Sequence, residues 1–368
     1  MQRAIGLMSG TSLDGVDAAW IETDGIAIAS LGKSLTLPYD PSLRSALRAL
    51  IARAEALAPD DPELLRLTTA LTAAHATAAA AIGTRAEVIG MHGQTILHRP
   101  DQGRTWQIGD AAWLAEQTGI PVVHDFRSAD ISAGGEGAPL APIFHAALAA
   151  PLERPLAVLN IGGVANVTWI GPDERLVAFD TGPGNGPLDD WVQRKTGQPF
   201  DADGALASAG QPNRAILEHL LAHPYFARPW PKSLDRLSFS AWIAQSGLDA
   251  LAIADGAATL AAFTAGAVAR APLPAPPLCW LVTGGGRRNQ AIMRALRHAV
   301  HAPVVPVEAV GWDGDALEAQ CFGFLAVRAL AGLPLSFPET TGVASPMPGG
   351  RLAHPRAACE VRQNRGRA

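Results

Sequence analysis

Two stretches of the chain share one plan and lie about one domain length apart. Residues 4–22 read AIGLMSGTSLDGVDAAWIE, and residues 156–170 read LAVLNIGGVANVTWI. Each consists of an apolar strand, a glycine-rich turn and a second apolar strand, which is the pattern of a β-hairpin. Because a typical domain has roughly 150 residues, the pair predicts two similar domains that each open with a hairpin.

Strand and helix patterns alternate after each hairpin, which predicts an α/β fold. In the first half, apolar residues recur at helical spacing over 61–82, and a short apolar strand follows at 87–91. In the second half, a strand at 279–283 runs into glycines, and a long helix over 315–331 closes the pattern.

The predicted domain boundary lies where APLERP, at 150–155, breaks a helical pattern. The first domain then spans 1–150 and the second spans 151–350, with a last helix that could pack back on the first domain. Residues 351–368 end in several arginines and are predicted to form a mobile tail.

Composition argues against several classes of function. The 368 residues carry 29 Lys and Arg against 34 Asp and Glu, and a formal net charge of -5 does not favour a nucleic-acid partner. The 3 cysteines form no CxxC pair, so neither a disulfide framework nor a structural zinc site is expected. The apolar stretch 251–269 contains Asp255 and two glycines, which is more typical of a buried helix than of a membrane span. We therefore expect a cytoplasmic globular protein with no membrane partner.

Three glycine-rich motifs could bring backbone amides to a nucleotide. They are GTSLDGVD over 10–17, NIGGVANVT over 160–168 and TGGGRRN over 283–289. Successive amides in such turns can bind anions, and the aspartates of the first motif can hold Mg²⁺ directly or through water. The structural alternative is an ordinary Asp-Gly hairpin for the first motif and a tight strand-to-helix turn for the third. The candidate nucleotide-binding residues are Gly10, Thr11, Ser12, Leu13, Asp14, Gly15, Val16, Asp17, Gly162, Gly163, Gly284, Gly285 and Gly286.

Asp180 is the candidate general base. It follows an apolar strand and precedes the rigid Gly-Pro-Gly turn of FDTGPGN at 179–185. A carboxylate that a stiff loop fixes at a strand end is suited to proton transfer. The alternative is an Asx-turn residue that caps the next element.

Four further side chains have both a functional and a structural interpretation. Arg127, between two acids in DFRSAD, could clamp a substrate carboxylate or form a structural ion pair. His92 and Gln94, in MHGQTILHRP, could orient a ligand or hydrogen-bond within the fold, and the histidine spacing is not that of a HExxH zinc site. Glu318 could reach into a cleft or simply complement a helix dipole.

Taken in order, these motifs resemble the anhydro-N-acetylmuramic acid kinases, which are bacterial sugar kinases of the actin/Hsp70/hexokinase-type fold. The resemblance runs from about residue 5 to residue 350 and rests on GLMSGTSLDGVD, HGQT, QIGD, LNIGG, FDTGPGN, DADG and TGGG. One departure is KSLDR at 232–236, where many members have Thr-Gly-Arg-Glu after the Lys-Ser.

The resemblance implies two duplicated actin/hexokinase-like (ribonuclease H-like) domains with an ATP cleft between them. It implies that residues 10–17 wrap the ATP phosphates, that the TGGG glycines lie near adenosine, and that Asp180 is the catalytic base. Mg²⁺ is then expected, with Asp14 in its outer shell, and so is a homodimer, because sugar kinases of this fold often pair. The implied sugar contacts are His92, Gln94, Arg127, Asp130, Asn185 and Glu318.

The implied reaction opens the 1,6-anhydro ring of 1,6-anhydro-N-acetylmuramic acid and phosphorylates O6 during cell-wall recycling. Asp180 would take a proton from the water that attacks C1, as the base of an inverting glycosidase does. One alternative is an ordinary sugar kinase, in which Asp180 deprotonates a free hydroxyl. A non-catalytic ATP-driven clamp would need a peptide-binding domain for which 368 residues leave no room, and the presence of Asp180 argues against a pseudoenzyme.

Overall fold

The computed structural model describes residues 1–10 and 12–356, which form two mixed β-sheets with flanking helices. The strands of the first half are β1 (Gln2–Ser9), β2 (Gly15–Thr23), β3 (Ile28–Pro38), β4 (Val88–Arg99), β5 (Arg104–Ile108) and β6 (Val122–His124). Its helices are α1 (Pro41–Ile51), α2 (Pro62–Ile82), α3 (Ala111–Thr118), α4 (Ser128–Ser132) and α5 (Pro142–Leu148).

The second half follows with the strands β7 (Leu156–Ile161), β8 (Val164–Ile170), β9 (Leu176–Pro183), β10 (Trp280–Thr283), β11 (Val304–Pro306) and β12 (Arg351–Ala353). Its helices are α6 (Gly186–Thr196), α7 (Ala205–Ala209), α8 (Arg214–Leu221), α9 (Ser240–Gln245), α10 (Ile253–Ala269), α11 (Gln290–Ala299), α12 (Leu317–Leu330) and α13 (Pro338–Thr341).

The two sheets repeat one strand order. The first contains β3-β2-β1-β4-β6 and the second contains β9-β8-β7-β10-β11. In both, the first three strands are antiparallel and the last two run parallel to the hairpin's opening strand. In the first sheet, β5 pairs with β4 in addition, and β12 pairs with β6. The predicted duplication of an α/β domain is therefore confirmed.

The first hairpin is formed by β1 and β2, and its turn is held closely against β3. Leu13 has a positive φ of 57°, and its N–H donates to the carbonyl of Gly10 at 3.2 Å. A Cβ atom on Gly15 would lie 2.2 Å from the carbonyl oxygen of Leu37. Only glycine therefore allows β3 to approach the end of this turn so closely.

Helix α12 comes late in the chain but packs on the first sheet. A Cβ atom on Gly6 would lie 1.7 Å from the carbonyl oxygen of Ala319, and one on Gly90 would lie 2.0 Å from that of Phe322. Backbone contact at these two glycines sets the helix directly on β1 and β4. The first turn of α12, which contains Glu318, is thereby brought close to the first hairpin.

Each sheet has its own apolar core, and a third cluster joins the two halves. This cluster combines Phe144 of α5 with Phe324 of α12, whose ring centroids are 5.6 Å apart, and with Val158 of β7. Burial of these side chains favours a fixed arrangement of the two halves.

Part of the segment predicted to be a mobile tail is a strand. Arg351–Ala353 form β12, which pairs antiparallel with β6. Arg351 Nε lies 3.1 Å from Asp125 Oδ2. The prediction was therefore wrong for these residues, because the edge of the first sheet supplies backbone partners that composition cannot reveal. Residues 357–368 of the predicted tail lie outside the described residues.

Most of the apolar stretch 251–269 forms α10. This helix packs against α6, α7, α8 and α11 within the second half. Among residues 1–10 and 12–356, no helix has both the length and the apolar character needed to cross a bilayer.

Candidate active site

The first hairpin turn presents an open glycine and a paired aspartate. A Cβ atom on Gly10 would meet nothing nearer than Ser12 Oγ at 3.7 Å, so a ligand has room there. The Asp14 carboxylate, 62% exposed, accepts from Arg44 Nη2 at 2.5 Å. Arg44 also donates to the Ser12 carbonyl at 3.2 Å and so fixes the shape of the turn. Thr11, one of the predicted nucleotide-binding residues, lies outside the described residues.

Two acids, Asp17 and Glu318, interact electrostatically where the first hairpin approaches α12. Asp17, half-buried on β2, accepts from Thr36 Oγ1 at 2.6 Å, and its burial raises the pKa of its carboxyl. Glu318, in the first turn of α12, reaches solvent although protein atoms surround its carboxyl. Loss of hydration raises the pKa of Glu318, the charge of Asp17 raises it further, and Arg127 opposes the shift.

His92 and Arg127 form one hydrogen-bonded unit beside Glu318. The Nδ1 atom of His92 lies 2.8 Å from the Gly93 carbonyl and donates to it, so Nε2 is free to accept from Arg127 Nε at 3.0 Å. Burial and the neighbouring guanidinium hold the pKa of His92 well below its usual value, and the imidazole is neutral. Arg127 also donates through Nη1 to the Gly137 carbonyl at 2.7 Å.

The charge of Arg127 has no carboxylate partner at contact distance among residues 1–10 and 12–356. Its neighbours are a neutral imidazole and a carbonyl, which orient the guanidinium but do not neutralise it. The structural ion pair that the sequence left open is therefore not formed, whereas a clamp for an anionic substrate fits this geometry.

Two of the predicted sugar contacts, Gln94 and Asp130, form hydrogen bonds within the fold. Gln94 is fully buried, and its carbonyl oxygen accepts from Ser9 Oγ at 2.5 Å. The buried Asp130 carboxylate accepts from the Gly137 N–H at 2.6 Å, from Thr341 Oγ1 at 2.6 Å, and from the Ser336 hydroxyl. Both side chains thus accept hydrogen bonds from the fold itself, and their contacts with the sugar stay predictions.

The sequence placed Asp180 after an apolar strand, but β9 continues through it to Pro183. Backbone groups there fix both its main chain and its carboxylate. Its Oδ2 atom accepts from the Leu234 N–H at 2.7 Å, and its own N–H donates to the Lys232 carbonyl at 3.0 Å. Tyr225 OH donates to the Asp180 carbonyl at 2.5 Å. Burial is the main cause that raises the pKa of Asp180 to about 7. A carboxyl with that pKa can both take and release a proton near neutral pH.

Charges on both sides of Asp180 adjust its ionisation. Lys232 is only 3% exposed, donates to the Tyr225 carbonyl at 3.3 Å, and favours the ionised carboxylate. Burial lowers the pKa of Lys232 to about 8. Glu136, which accepts from Ser233 Oγ at 2.6 Å, opposes the ionisation of Asp180.

The segment 232–236 links the two halves of the molecule, a role that the sequence analysis left undefined. Ser233 of the second half donates a hydrogen bond to Glu136 of the first half, and Arg99 Nη1 lies 3.6 Å from Asp235 Oδ2. The available signal was a Lys-Ser pair after two prolines in PWPKS, but its role depends on a contact with the other domain that the sequence does not display.

The second and third glycine motifs meet at Asn185. Its N–H donates to the Gly162 carbonyl at 2.7 Å, and its Nδ2 atom donates to the Ile161 carbonyl at 3.3 Å. A Cβ atom on Gly286 would lie 3.1 Å from Asn185 Oδ1. Asn185 thus joins two glycine turns, and its predicted contact with the sugar stays a prediction.

Some of the predicted glycines leave room for a ligand and others serve packing. Cβ atoms on Gly162 and Gly285 would meet nothing closer than 3.6 Å, which leaves the backbone of both turns accessible. A Cβ atom on Gly284, by contrast, would lie 2.3 Å from Asn160 Oδ1. Open backbone at each of the three motifs fits the phosphates and base of a nucleotide.

The described residues do not group three or more His, Cys, Asp or Glu side chains around a point where a metal could bind. Asp14 is paired with Arg44. The predicted position of Asp14 in the outer shell of Mg²⁺ therefore stays a prediction, and any ion would depend on oxygen ligands of the nucleotide and water.

Comparisons with known proteins agree over almost the whole chain. A family model described as Anhydro-N-acetylmuramic acid kinase matches residues 2–354. The protein of that name from Acidiphilium cryptum (strain JF-5) is 67% identical over 357 residues, which cover 97% of this chain and 99% of that protein. Its counterpart from Gluconobacter oxydans (strain 621H) is 57% identical over 358 residues, covering 95% and 99%. The similarity thus includes both hairpins and all three glycine motifs.

Solved structures with a similar course of the chain are much more distant in sequence. A ROK family glucokinase from Streptomyces griseus, in complex with glucose and AMPPNP, is 16% identical, with a TM-score of 0.39 and coverage of 88% of this chain and 99% of that chain. Component A of (R)-2-hydroxyglutaryl-CoA dehydratase from Acidaminococcus fermentans is 15% identical, with a TM-score of 0.41 and coverage of 90% and 100%.

Proposed function

This chain belongs to the anhydro-N-acetylmuramic acid kinase family, and we propose that it opens the 1,6-anhydro ring of 1,6-anhydro-N-acetylmuramic acid and phosphorylates O6 at the expense of ATP. The product is N-acetylmuramic acid 6-phosphate, an intermediate of peptidoglycan recycling. The observation that carries the proposal is Asp180, a carboxyl with a pKa of about 7 fixed in the strand next to the second glycine turn.

Asp180 is the proposed base for the attack of water on C1. Its Oδ2 atom accepts the Leu234 N–H, which leaves Oδ1 to take the proton from water as the new C1–O bond forms. The C1–O6 bond breaks in the same displacement, and O6 takes the γ-phosphoryl group while the bond from that phosphorus to the β-phosphate oxygen breaks. The products are the sugar phosphate, ADP and a protonated Asp180, which returns its proton to solvent.

Arg127 is the proposed partner of the substrate's lactyl carboxylate. Its guanidinium is oriented by His92 and Gly137, and it has no carboxylate at contact distance among the described residues. A carboxylate that meets this fork gains charge-assisted hydrogen bonds and an orientation. Glu318, on the floor of the cleft beside Arg127, is the proposed acceptor for a sugar hydroxyl.

The glycine motifs are the proposed site for ATP. Cβ atoms on Gly10 and Gly162 would meet nothing closer than 3.6 Å, so the backbone of both turns has room for the phosphates. Mg²⁺ bound with ATP supplies charge neutralisation at the phosphates, and Asp14 is proposed for its outer shell. Gly285 leaves room for the adenosine part of the nucleotide.

The experiment that separates ring opening from ordinary phosphorylation is a reaction in ¹⁸O-labelled water. We expect one labelled oxygen at C1 of a 6-phosphorylated product, because the water oxygen becomes the anomeric hydroxyl. Label that the product takes up by slow exchange with water, measured in controls, must be subtracted. A phosphorylated product without label at C1 would support the alternative, an ordinary sugar kinase, and would overturn the hydrolytic role of Asp180.

The remaining alternatives make different predictions with the same material. A clamp or a pseudoenzyme would bind ATP without phosphorylating any sugar, so phosphate transfer to the anhydro-sugar excludes both. Replacement of the base, Asp180→Asn, is expected to abolish transfer while nucleotide binding persists. The cytoplasmic location and the homodimer stay predictions.

A further inference from the structure

Arg236 lies across the second glycine turn. A Cβ atom on Gly163 would lie 3.4 Å from Arg236 Cδ and 3.5 Å from its Nε, and a Cβ atom on Gly186 would lie 3.2 Å from that Nε. The side chain therefore covers the stretch of backbone that carries no side chains of its own. This arginine ends the segment 232–236, which departs from the pattern of the family.

The guanidinium of Arg236 has a partner that it can exchange. Its Nη2 atom donates to Asp190 Oδ1 at 2.6 Å, and the two side chains are 50% and 51% exposed. Water screens a pair as exposed as this, so the pair contributes little to folding. A phosphate group with more negative charge can replace the carboxylate without leaving a buried group unpaired.

We propose that Arg236 binds the phosphates of the nucleotide, exchanging Asp190 for phosphate oxygens when ATP enters the cleft. The inference rests on the proposed function. Backbone amides at Gly162 and Gly163 carry no net charge, whereas a guanidinium supplies a full charge and a fork that matches two phosphate oxygens. At the first turn, Arg44 is bonded to the turn itself through the Ser12 carbonyl and Asp14, so it shapes that turn.

The test is nucleotide affinity, measured by isothermal titration of the full chain with ADP and with adenosine. For Arg236→Gln we expect ADP binding to weaken by about 10- to 100-fold, because a charge-assisted contact is lost. Adenosine has no phosphate, so its affinity should not change. Thermal unfolding of each variant shows whether the fold is retained.

Arg194→Gln is the matched control. Arg194 lines the same surface pocket as Arg236, is 55% exposed, and is paired with Asp249. Its replacement removes the same charge without touching the glycine turn, so ADP affinity should remain at the wild-type value. An equal loss in both variants would assign the effect to overall charge and overturn the inference.

Other outcomes separate this inference from the proposed function. If the wild type phosphorylates the anhydro-sugar but Arg236→Gln binds ADP as tightly as the wild type, the inference alone is wrong. If the wild type binds ADP in an Arg236-dependent manner but transfers no phosphate to the sugar, the proposed function fails and the inference stands. Should Arg236→Gln not fold, Arg236→Lys retains the charge without the fork, and an intermediate ADP affinity is expected. An unchanged affinity in Arg236→Lys would show that the fork is not used.

Discussion

The pH dependence of sugar turnover is the sharpest test of the role of Asp180. Burial raises the pKa of its carboxyl from 3.8 to about 7, and the ionised form is the one that can accept a proton from water. For a pKa of about 7, about one-tenth of the carboxyl is ionised at pH 6, half at pH 7 and about nine-tenths at pH 8. The value of kcat/KM should therefore rise with pH in those proportions up to about pH 8.

A neighbouring charge offers a perturbation whose direction is fixed by the structure. Glu136 opposes the ionisation of Asp180 and accepts a hydrogen bond from Ser233. The variant Glu136→Gln removes the charge but keeps an acceptor, so the midpoint of the profile should move to lower pH. Glu218→Gln is the control, because Glu218 is an exposed partner of Arg214 on α8 and should leave the midpoint unchanged.

The assay is the initial rate of ADP release at saturating ATP and low anhydro-sugar, measured from about pH 5 to about pH 9, since kcat/KM reports the ionisation of the free enzyme. Unfolding curves at each pH exclude loss of structure. Lys232, with a pKa lowered to about 8, favours ionised Asp180, and a decline above that pH would reflect its deprotonation. A profile that is flat, or that falls with rising pH between 6 and 8, would refute Asp180 as the base.

Three further perturbations follow from the same geometry. Arg127→Gln should raise KM for 1,6-anhydro-N-acetylmuramic acid about tenfold or more. The inhibition constant of 1,6-anhydro-N-acetylglucosamine, which lacks the lactyl carboxylate, should not change. Equal losses of affinity for both compounds would make Arg127 structural. Asp180→Asn should abolish turnover yet raise Tm by a few degrees at pH 8, because the raised pKa means that folding disfavours the charged carboxyl, by at most about 4 kcal/mol. That gain should shrink as pH falls through 7 towards 4, and a lower Tm at pH 8 would contradict it. Gly90→Val should markedly lower the urea concentration at the midpoint of unfolding, because its Cβ would lie 2.0 Å from the Phe322 carbonyl oxygen and α12 would have to shift. An unchanged midpoint would contradict this packing.

The sequence was most informative where local chemistry determines the structure. A strand, a glycine turn and a strand form a hairpin without help from distant residues, so the repeated pattern was enough to predict the duplicated sheets. Asp180 could be found from its place between an apolar run and a stiff Gly-Pro-Gly turn, but the Leu234 N–H that fixes its carboxylate lies far away in sequence.

Long-range contacts set the limits of that reasoning. Gln94 and Asp130 have the residue types of ligand contacts, but donors from Ser9 and from the segment 336–341 occupy them. The tail strand Arg351–Ala353 forms only because β6 leaves an edge free for it. In each case the partner is more than 80 residues away in sequence, and no local pattern specifies it.

The departure of the segment 232–236 from the family pattern has a structural explanation. Lys232, Ser233 and Arg236 agree with the pattern, and these are the residues whose side chains contact Tyr225, Glu136 and Asp190. Leu234, which differs, acts on Asp180 through its backbone N–H, a group that every residue except proline provides. Asp235 also differs, and its contact with Arg99 is an exposed pair at 3.6 Å that adds little. The sequence has therefore changed where only the backbone or a weak surface contact is used, and the support of the proposed base is retained.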